Sequence, residues 1–228
     1  LQSLANPINQ VIGVPYSASA ALCAVQAVFL LRFIRRNGLS RQYGLCKTAV
    51  PARRFLYYLP LAVLMTRNFW NGAAVNATLT ETVCYIICML CVGFVEEVIF
   101  RGFLFRAIAE DNRNTAVVIS SLTFGLGHLL NLVNGSGAGL AETLLQVAGA
   151  VALGFLFVIL FDRGGSLLPC ILAHAVINIT SIFANEMGLT LEKGMAMQLV
   201  LIAVAVAYAL ILTKTLPKNR HAKAHRQE

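Results

Sequence analysis

The sequence predicts an all-α protein: a polytopic bundle of about seven transmembrane helices. Three observations carry that prediction. Hydrophobic residues make up 58% of the 228-residue chain and charged residues only 12%, about half the ~25% charge of a soluble domain. The apolar residues gather in long runs, several of them near the ~20 residues a helix needs to cross the hydrocarbon. The basic residues stand in short stretches between those runs, the pattern of membrane anchoring and orientation. The same composition excludes an ordinary cytosolic enzyme and a disordered chain.

Taken in order, the first run, Val11–Ile34, lacks a basic leader and is too long for a cleavable signal peptide, so it reads as a span. Phe55–Trp70 is short and carries Pro60 and Arg67. Leu79–Ile108 is long enough to tilt or to project beyond the bilayer. Thr115–Val133 follows, then Asn134–Gly139, a Gly-rich stretch expected to form a flexible external loop. Leu140–Phe161, Leu167–Ala184 and Met195–Leu212 complete the set. No internal repeat and no extended linker divides the chain, so 1–216 is expected to be a single transmembrane domain. The remainder, 217–228, reads as a basic, disordered cytoplasmic tail that sets topology or touches anionic lipid.

If seven helices alternate, sixteen of the 18 Lys and Arg residues share one side, and only Arg67 and Lys193 fall on the other. Basic loops mark the cytoplasmic face, so this expectation places the N-terminus outside and the C-terminus in the cytoplasm of a multi-pass cell-membrane protein. The net charge of +8 is thereby accounted for without a nucleic-acid partner, which needs a basic folded face. The expected partners are membrane lipids and a peptide or protein substrate, with the oligomeric state left open. Of six cysteines, all but Cys46 lie inside apolar runs. They read as small hydrophobes rather than a disulfide framework.

Ionisable groups within membrane helices are costly and mark function, and here they are few. The third run holds Glu96, Glu97 and Arg101, the fourth His128, and the sixth His174 with Asn178. Glu97 and Arg101 are four residues apart, acid before base, which favours an ion pair on one helix face. Glu96 points about 100° away and is expected to face the bundle as a general base or acid. His174 and Asn178 also share a face. Gly125 and Gly127 are expected to thin the helix beside His128. Counting inward from Glu110, Asn114 and Ser166 as cytoplasmic edges, Glu96 and His128 lie about 21 Å deep, Asn178 about 18 Å and His174 about 12 Å. Three helices therefore bring their polar groups into overlapping layers.

Such a set can hydrolyse an amide bond. Glu96 with His128 would deprotonate a water, and His174 with Asn178 would donate to the developing oxyanion. Alternatively Glu96, His128 and His174 would ligate a divalent metal such as zinc, leaving one position for water. No His-Glu-x-x-His motif is present, and spacing does not decide between the two. A proton relay is the main competing use of the same groups.

At these residues the sequence resembles the CAAX-protease and bacteriocin-processing family (CPBP, or Abi). The resemblance rests on Glu-Glu-x-x-x-Arg at 96–101, Phe-x-x-x-His at 124–128 and His-x-x-x-Asn at 174–178, in that order on three apolar runs. It covers about 79–184. The strings Phe-Gly-Leu-Gly-His-Leu-Leu-Asn and Gly-Ser-Leu-Leu-Pro-Cys resemble its bacterial branch. The resemblance implies an intramembrane endopeptidase with a water-accessible cavity, acting on a leader-bearing or C-terminally processed peptide. It implies that Glu96 is the catalytic glutamate, Glu97 the second acid and Arg101 its partner. His128 would position water, and His174 with Asn178 would form the oxyanion side. Some members serve instead in immunity or as scaffolds, so a non-enzymatic membrane partner is the second reading. A proton-coupled transporter is the third, disfavoured by the absence of repeats and of paired broken helices.

Overall fold

A computed structural model describes residues 2–50, 57–129 and 139–216. The expected external loop at 134–139 and the basic tail at 217–228 fall, but for Gly139, outside the described residues. All named elements in the described residues are helical. We number them α1 (Gln2–Ile12), α2 (Ser17–Arg36), α3 (Leu59–Met65), α4 (Leu79–Ala109), α5 (Arg113–Leu126), α6 (Leu140–Gly164), α7 (Leu168–Thr180) and α8 (Leu191–Thr215). Helices α2, α4, α6 and α8 are long and apolar enough to cross a membrane.

Two of the apolar runs differ from expectation. The first is broken, so its span begins at Ser17 rather than Val11. Gly13 has φ +76° and Tyr16 φ +65°, and Pro15 stands between them. The chain reverses there, and Asn9 of α1 reaches back to accept from the Ala18 N–H at 2.8 Å and to donate to Ser19 Oγ at 3.1 Å. The second run contains a helix of only seven residues, with Pro60 in its first turn, extended by a 3₁₀ turn at Arg67–Phe69. It still links the two ends of the bundle. Tyr58 Oη meets Thr48 Oγ1 at 3.3 Å near the Gly164 end of α6, while Asn68 Nδ2 donates to Ile177 O at 2.6 Å on α7.

One end of the bundle is closed by the chain after α2 lying over the α6–α7 junction. Leu167 N–H donates to Gly44 O at 2.8 Å, Ala49 N–H to Gly164 O at 2.9 Å, and Ser166 Oγ to Cys46 O at 2.6 Å. Basic side chains gather here: Arg113 pairs with Asp162, Arg163 donates to Leu216 O, and Arg106 lies over the Phe161 ring. The opposite end is stitched by amides, with Asn71 donating to Asn185 O and Asn76 to Ile182 O and Ala184 O. The apolar core between them centres on α6, where Leu156, Phe157, Val158 and Phe161 are buried.

Helix α4 is 31 residues long, about 46 Å at 1.5 Å per residue, so it exceeds the ~30 Å hydrocarbon and must tilt or project. It starts from a capping box in which Thr78 and Glu81 satisfy each other's backbone donors. Its second half changes pitch: Val98–Phe105 is π-helical, a rare conformation that recurs at functional sites.

Candidate active site

Glu96 and Glu97 close the α-helical half of α4, immediately before the π segment. Glu97 is fully buried, as is Arg101. Arg101 Nη1 donates to Glu97 Oε1 at 2.9 Å, the ion pair expected from their spacing. Arg101 Nη2 donates to Gly154 O on α6 at 3.4 Å. Its guanidinium carbon lies 4.1 Å from the centroid of Phe124, with Phe157 5.5 Å away. A desolvated cation over aromatic faces is held by the ring quadrupoles.

Glu97 also reaches across to α7. His174 Nδ1 lies 2.8 Å from Glu97 Oε1, and His174 Nε2 lies 3.7 Å from Glu96 Oε2. The carboxylate beside Arg101 acts as the acceptor, so the ring donates through Nδ1 and turns Nε2 toward Glu96. The two adjacent acids thus occupy different environments. Glu97 is sealed among Arg101 and His174, whereas the Glu96 side chain is 38% exposed. Glu96 is the carboxylate open to an incoming group.

His128 sits in a 3₁₀ turn ending α5, its ring edge-to-face with Phe124 at 5.9 Å. Phe124 makes the same kind of contact with His174 at 5.4 Å. One buried ring therefore touches both imidazoles and carries Arg101 on its face. Among the described residues His128 approaches no carboxylate within 4 Å; the imidazole nearest Glu96 belongs to His174. Asn178 lies one turn beyond His174, and its described hydrogen bonds go through its backbone carbonyl, which accepts from Tyr85 Oη at 3.2 Å and Ser181 Oγ at 2.7 Å.

Glycines set these distances. A Cβ at Gly93, one turn before Glu97, would lie 3.0 Å from Ala175 N and 3.2 Å from Ala175 Cα, so glycine lets α4 and α7 meet beside His174. A Cβ at Gly125 would lie 2.2 Å from Val151 Cγ2, which accounts for the close approach of α5 to α6. Gly127, expected to play the same part, faces open space. Gly154 leaves room for both Phe124 and Arg101. Ser120 of α5 donates to Phe100 O at 2.8 Å, satisfying a carbonyl inside the π segment. Sequence reasoning did not single out Gly93, Gly154 or the π segment, and it considered Ser120 only as a nucleophile without a base. The available signal was small residues recurring in apolar runs.

The three side chains considered for a metal do not come together as a ligand set. Glu96 and His174 meet through Nε2, with Nδ1 held by Glu97, and His128 has no carboxylate within 4 Å among the described residues. Among the described residues no group of three His, Cys, Asp or Glu is arranged to hold a metal ion.

Residues 78–180 match the family model described as type II CAAX prenyl endopeptidase, Rce1-like. The matched stretch, a little under half of the chain, contains Glu96, Glu97, Arg101, His128, His174 and Asn178. No curated protein and no solved structure matches the chain.

Proposed function

We propose that this multi-pass membrane protein, whose residues 78–180 match the CAAX prenyl endopeptidase family model, is a peptidase of that kind and hydrolyses a peptide bond with a water activated by Glu96. The observation that carries the reading is the continuous set of contacts Arg101–Glu97–His174–Glu96, running from a buried cation to an open carboxylate.

In this reading Arg101 and Glu97 are positioning residues. Glu97 accepts from His174 Nδ1–H and fixes the ring. Nε2 then faces the same space as Glu96, and in the imidazolium form it donates to the developing oxyanion, with the Asn178 amide as second donor. The base and one oxyanion donor stand 3.7 Å apart, facing one space from which both would reach the same reacting carbonyl. The 3.7 Å gap is longer than a direct hydrogen bond, which leaves Glu96 available to a water. His128, anchored by Phe124 and beyond direct contact with Glu96, holds that water from the other side. Glu96 takes one water proton as the oxygen attacks the carbonyl carbon. The tetrahedral intermediate collapses, the C–N bond breaks, and the proton passes from Glu96 to the leaving amine.

The substrate we propose is a peptide that is C-terminally processed or bears a leader, reached from the bilayer or the cytoplasm. Orientation follows from the basic residues at the Arg106–Arg113–Arg163 end, which support a cytoplasmic C-terminal side and an outside N-terminus. The test is Glu96→Gln in the full chain reconstituted in nanodiscs, with peptide cleavage followed by mass spectrometry. Turnover is expected to fall by about a hundredfold or more while the protein stays folded. Cleavage at the wild-type rate would defeat the reading.

A further inference from the structure

Arg67 breaks the charge pattern of the molecule. Alternation leaves it one of two basic residues away from the basic end, and it sits in an apolar run. It is half-buried rather than extended to the surface. Its Nη2 donates to Gln198 Oε1 on α8 at 2.9 Å, and Gln198 Nε2 in turn donates to Leu145 O on α6 at 3.3 Å. That clamp depends on Gly149, because a Cβ there would lie 1.7 Å from Gln198 Nε2. The guanidinium is thus held in place by two other helices.

The depth of Arg67 is fixed by the next residue. Asn68 donates to Ile177 O at 2.6 Å and to Thr180 Oγ1 at 2.9 Å, so Arg67 lies level with Asn178. Among the described residues no carboxylate comes within 4 Å of it, and its remaining guanidinium donors make no hydrogen bond. Elsewhere the chain holds a single acidic side chain, Glu228, in the basic tail. A cation inside a membrane bundle pairs with an anion or a backbone carbonyl, and among the described residues the Arg67 guanidinium meets neither.

We propose that Arg67, clamped by Gln198 at the level of Asn178, is a specificity subsite for a carboxylate of the peptide substrate. The inference rests on the peptidase reading, since it gives the substrate of that same site a chemical feature. The planar guanidinium offers a bidentate fork to a carboxylate. Two sources present this group: the free C-terminus of the peptide, and an Asp or Glu side chain within it. Either is held by one end while the scissile bond lies against Glu96.

The experiment uses the full chain in phosphatidylcholine nanodiscs and a defined library of short synthetic peptides. Each peptide is made as the C-terminal acid and the C-terminal amide, and with Asp or Asn at an internal position. Cleavage by the wild type and equilibrium binding to the non-cleaving Glu96→Gln chain are measured in parallel. We expect acids to exceed their neutral counterparts by about tenfold or more in kcat/KM, chiefly through KM, as loss of a charge-assisted hydrogen bond implies. The pair of peptides showing the preference identifies the terminal or internal source. Arg67→Gln should abolish the preference and Arg67→Lys should restore part of it. Equal treatment of acids and neutral peptides by a cleaving wild type would overturn the subsite while leaving the peptidase reading intact. Acid-selective, Arg67-dependent binding without any cleavage would uphold the subsite and remove the peptidase. Neither binding nor cleavage would remove both. Stabilisation by phosphatidylglycerol that disappears in Arg67→Gln, with no acid preference, would assign the guanidinium to a lipid phosphate and overturn the proposal.

Discussion

Replacing Arg101 by Met keeps the length of a fully buried side chain and removes its charge. The structure allows the cost to be worked out. The variant loses the 2.9 Å bond to Glu97 and the 3.4 Å bond to Gly154 O. Glu97 is then a carboxylate with zero exposure whose one described partner is the His174 ring. Breaking a buried ion pair by removing one partner costs about 3–5 kcal/mol. Loss of the cation over Phe124, at 4.1 Å, adds about 1–2 kcal/mol. For a chain of this size each kcal/mol moves Tm by about 2–4 °C, so Arg101→Met should lower Tm by roughly 10 °C or more. Heating in detergent with a thiol-reactive fluorophore reads this directly, because Cys88 and Cys170 are fully buried free thiols. Glu97→Gln alone should be costly for the same reason, leaving a bare guanidinium. The double variant Glu97→Gln, Arg101→Met leaves no buried charge in this pair, so its loss should fall well short of the sum. A wild-type Tm in Arg101→Met, or losses that add within about 0.5 kcal/mol, would refute the reasoning.

Three further outcomes are expected. Glu96→Gln should lower turnover by about 10²–10⁴, the range of a positioned general base, with Tm unchanged because the side chain is partly exposed and its nearest partner is 3.7 Å away; a matching loss of Tm would make Glu96 structural instead. Gly93→Ala forces a methyl to within 3.0 Å of the Ala175 backbone, so it should cost about 1–3 kcal/mol and slow cleavage by parting α4 from His174, and normal values of both would show that α7 yields freely. Ser120→Ala withdraws the donor from Phe100 O and should cost about 1–3 kcal/mol, with faster amide hydrogen exchange over Val98–Phe105 than in the wild type; unchanged exchange there would mean that the π segment is set by packing alone.

Much of this architecture was legible in the residues, but unevenly. The long apolar runs become α2, α4, α6 and α8, and the i,i+4 spacing of Glu97 and Arg101 becomes a bond. Helix α1 escaped notice because Val11, Ile12 and Val14 extend the apolar window across a break that Gly13 and Pro15 encode. The depth count separated Glu96 from His174 by roughly 9 Å at 1.5 Å per residue, yet they meet. The count took Ser166 as a surface edge, whereas Ser166 and Leu167 are 1% and 0% exposed beneath the segment around Gly44–Cys46. A helix whose first residues lie under a covering loop starts deeper than its sequence suggests. The π segment left no mark in Val98–Phe105, where every residue but Arg101 and Gly102 is apolar. Its carbonyl is satisfied by a serine from another helix, a long-range contact that periodicity does not carry.

The two interior arginines divide the labour of the bundle in a way that charge counting alone does not reveal. Arg101 is neutralised inside the chain by Glu97, and that carboxylate is consumed in turn by His174. Glu97 is therefore held at zero exposure by partners within the chain, and the adjacent Glu96, rotated off that face and 38% exposed, is the carboxylate left open to substrate. Arg67 is fixed as firmly, through Gln198 and Leu145 O, but by neutral groups that leave its charge uncompensated. An arginine held by amides and lacking an acid is poised for an anion that arrives from outside. The consequence is a contrast between two variants of the same residue type. Arg101→Met should unfold the bundle early in the presence or absence of peptide. Arg67→Gln should melt within a few degrees of the wild type alone, and should differ from it in the gain of Tm on adding a carboxylate-bearing peptide, about 3 kcal/mol at a hundredfold excess over Kd for the wild type. If both variants lost the same stability without ligand, Arg67 would be a second structural charge and the division would fall.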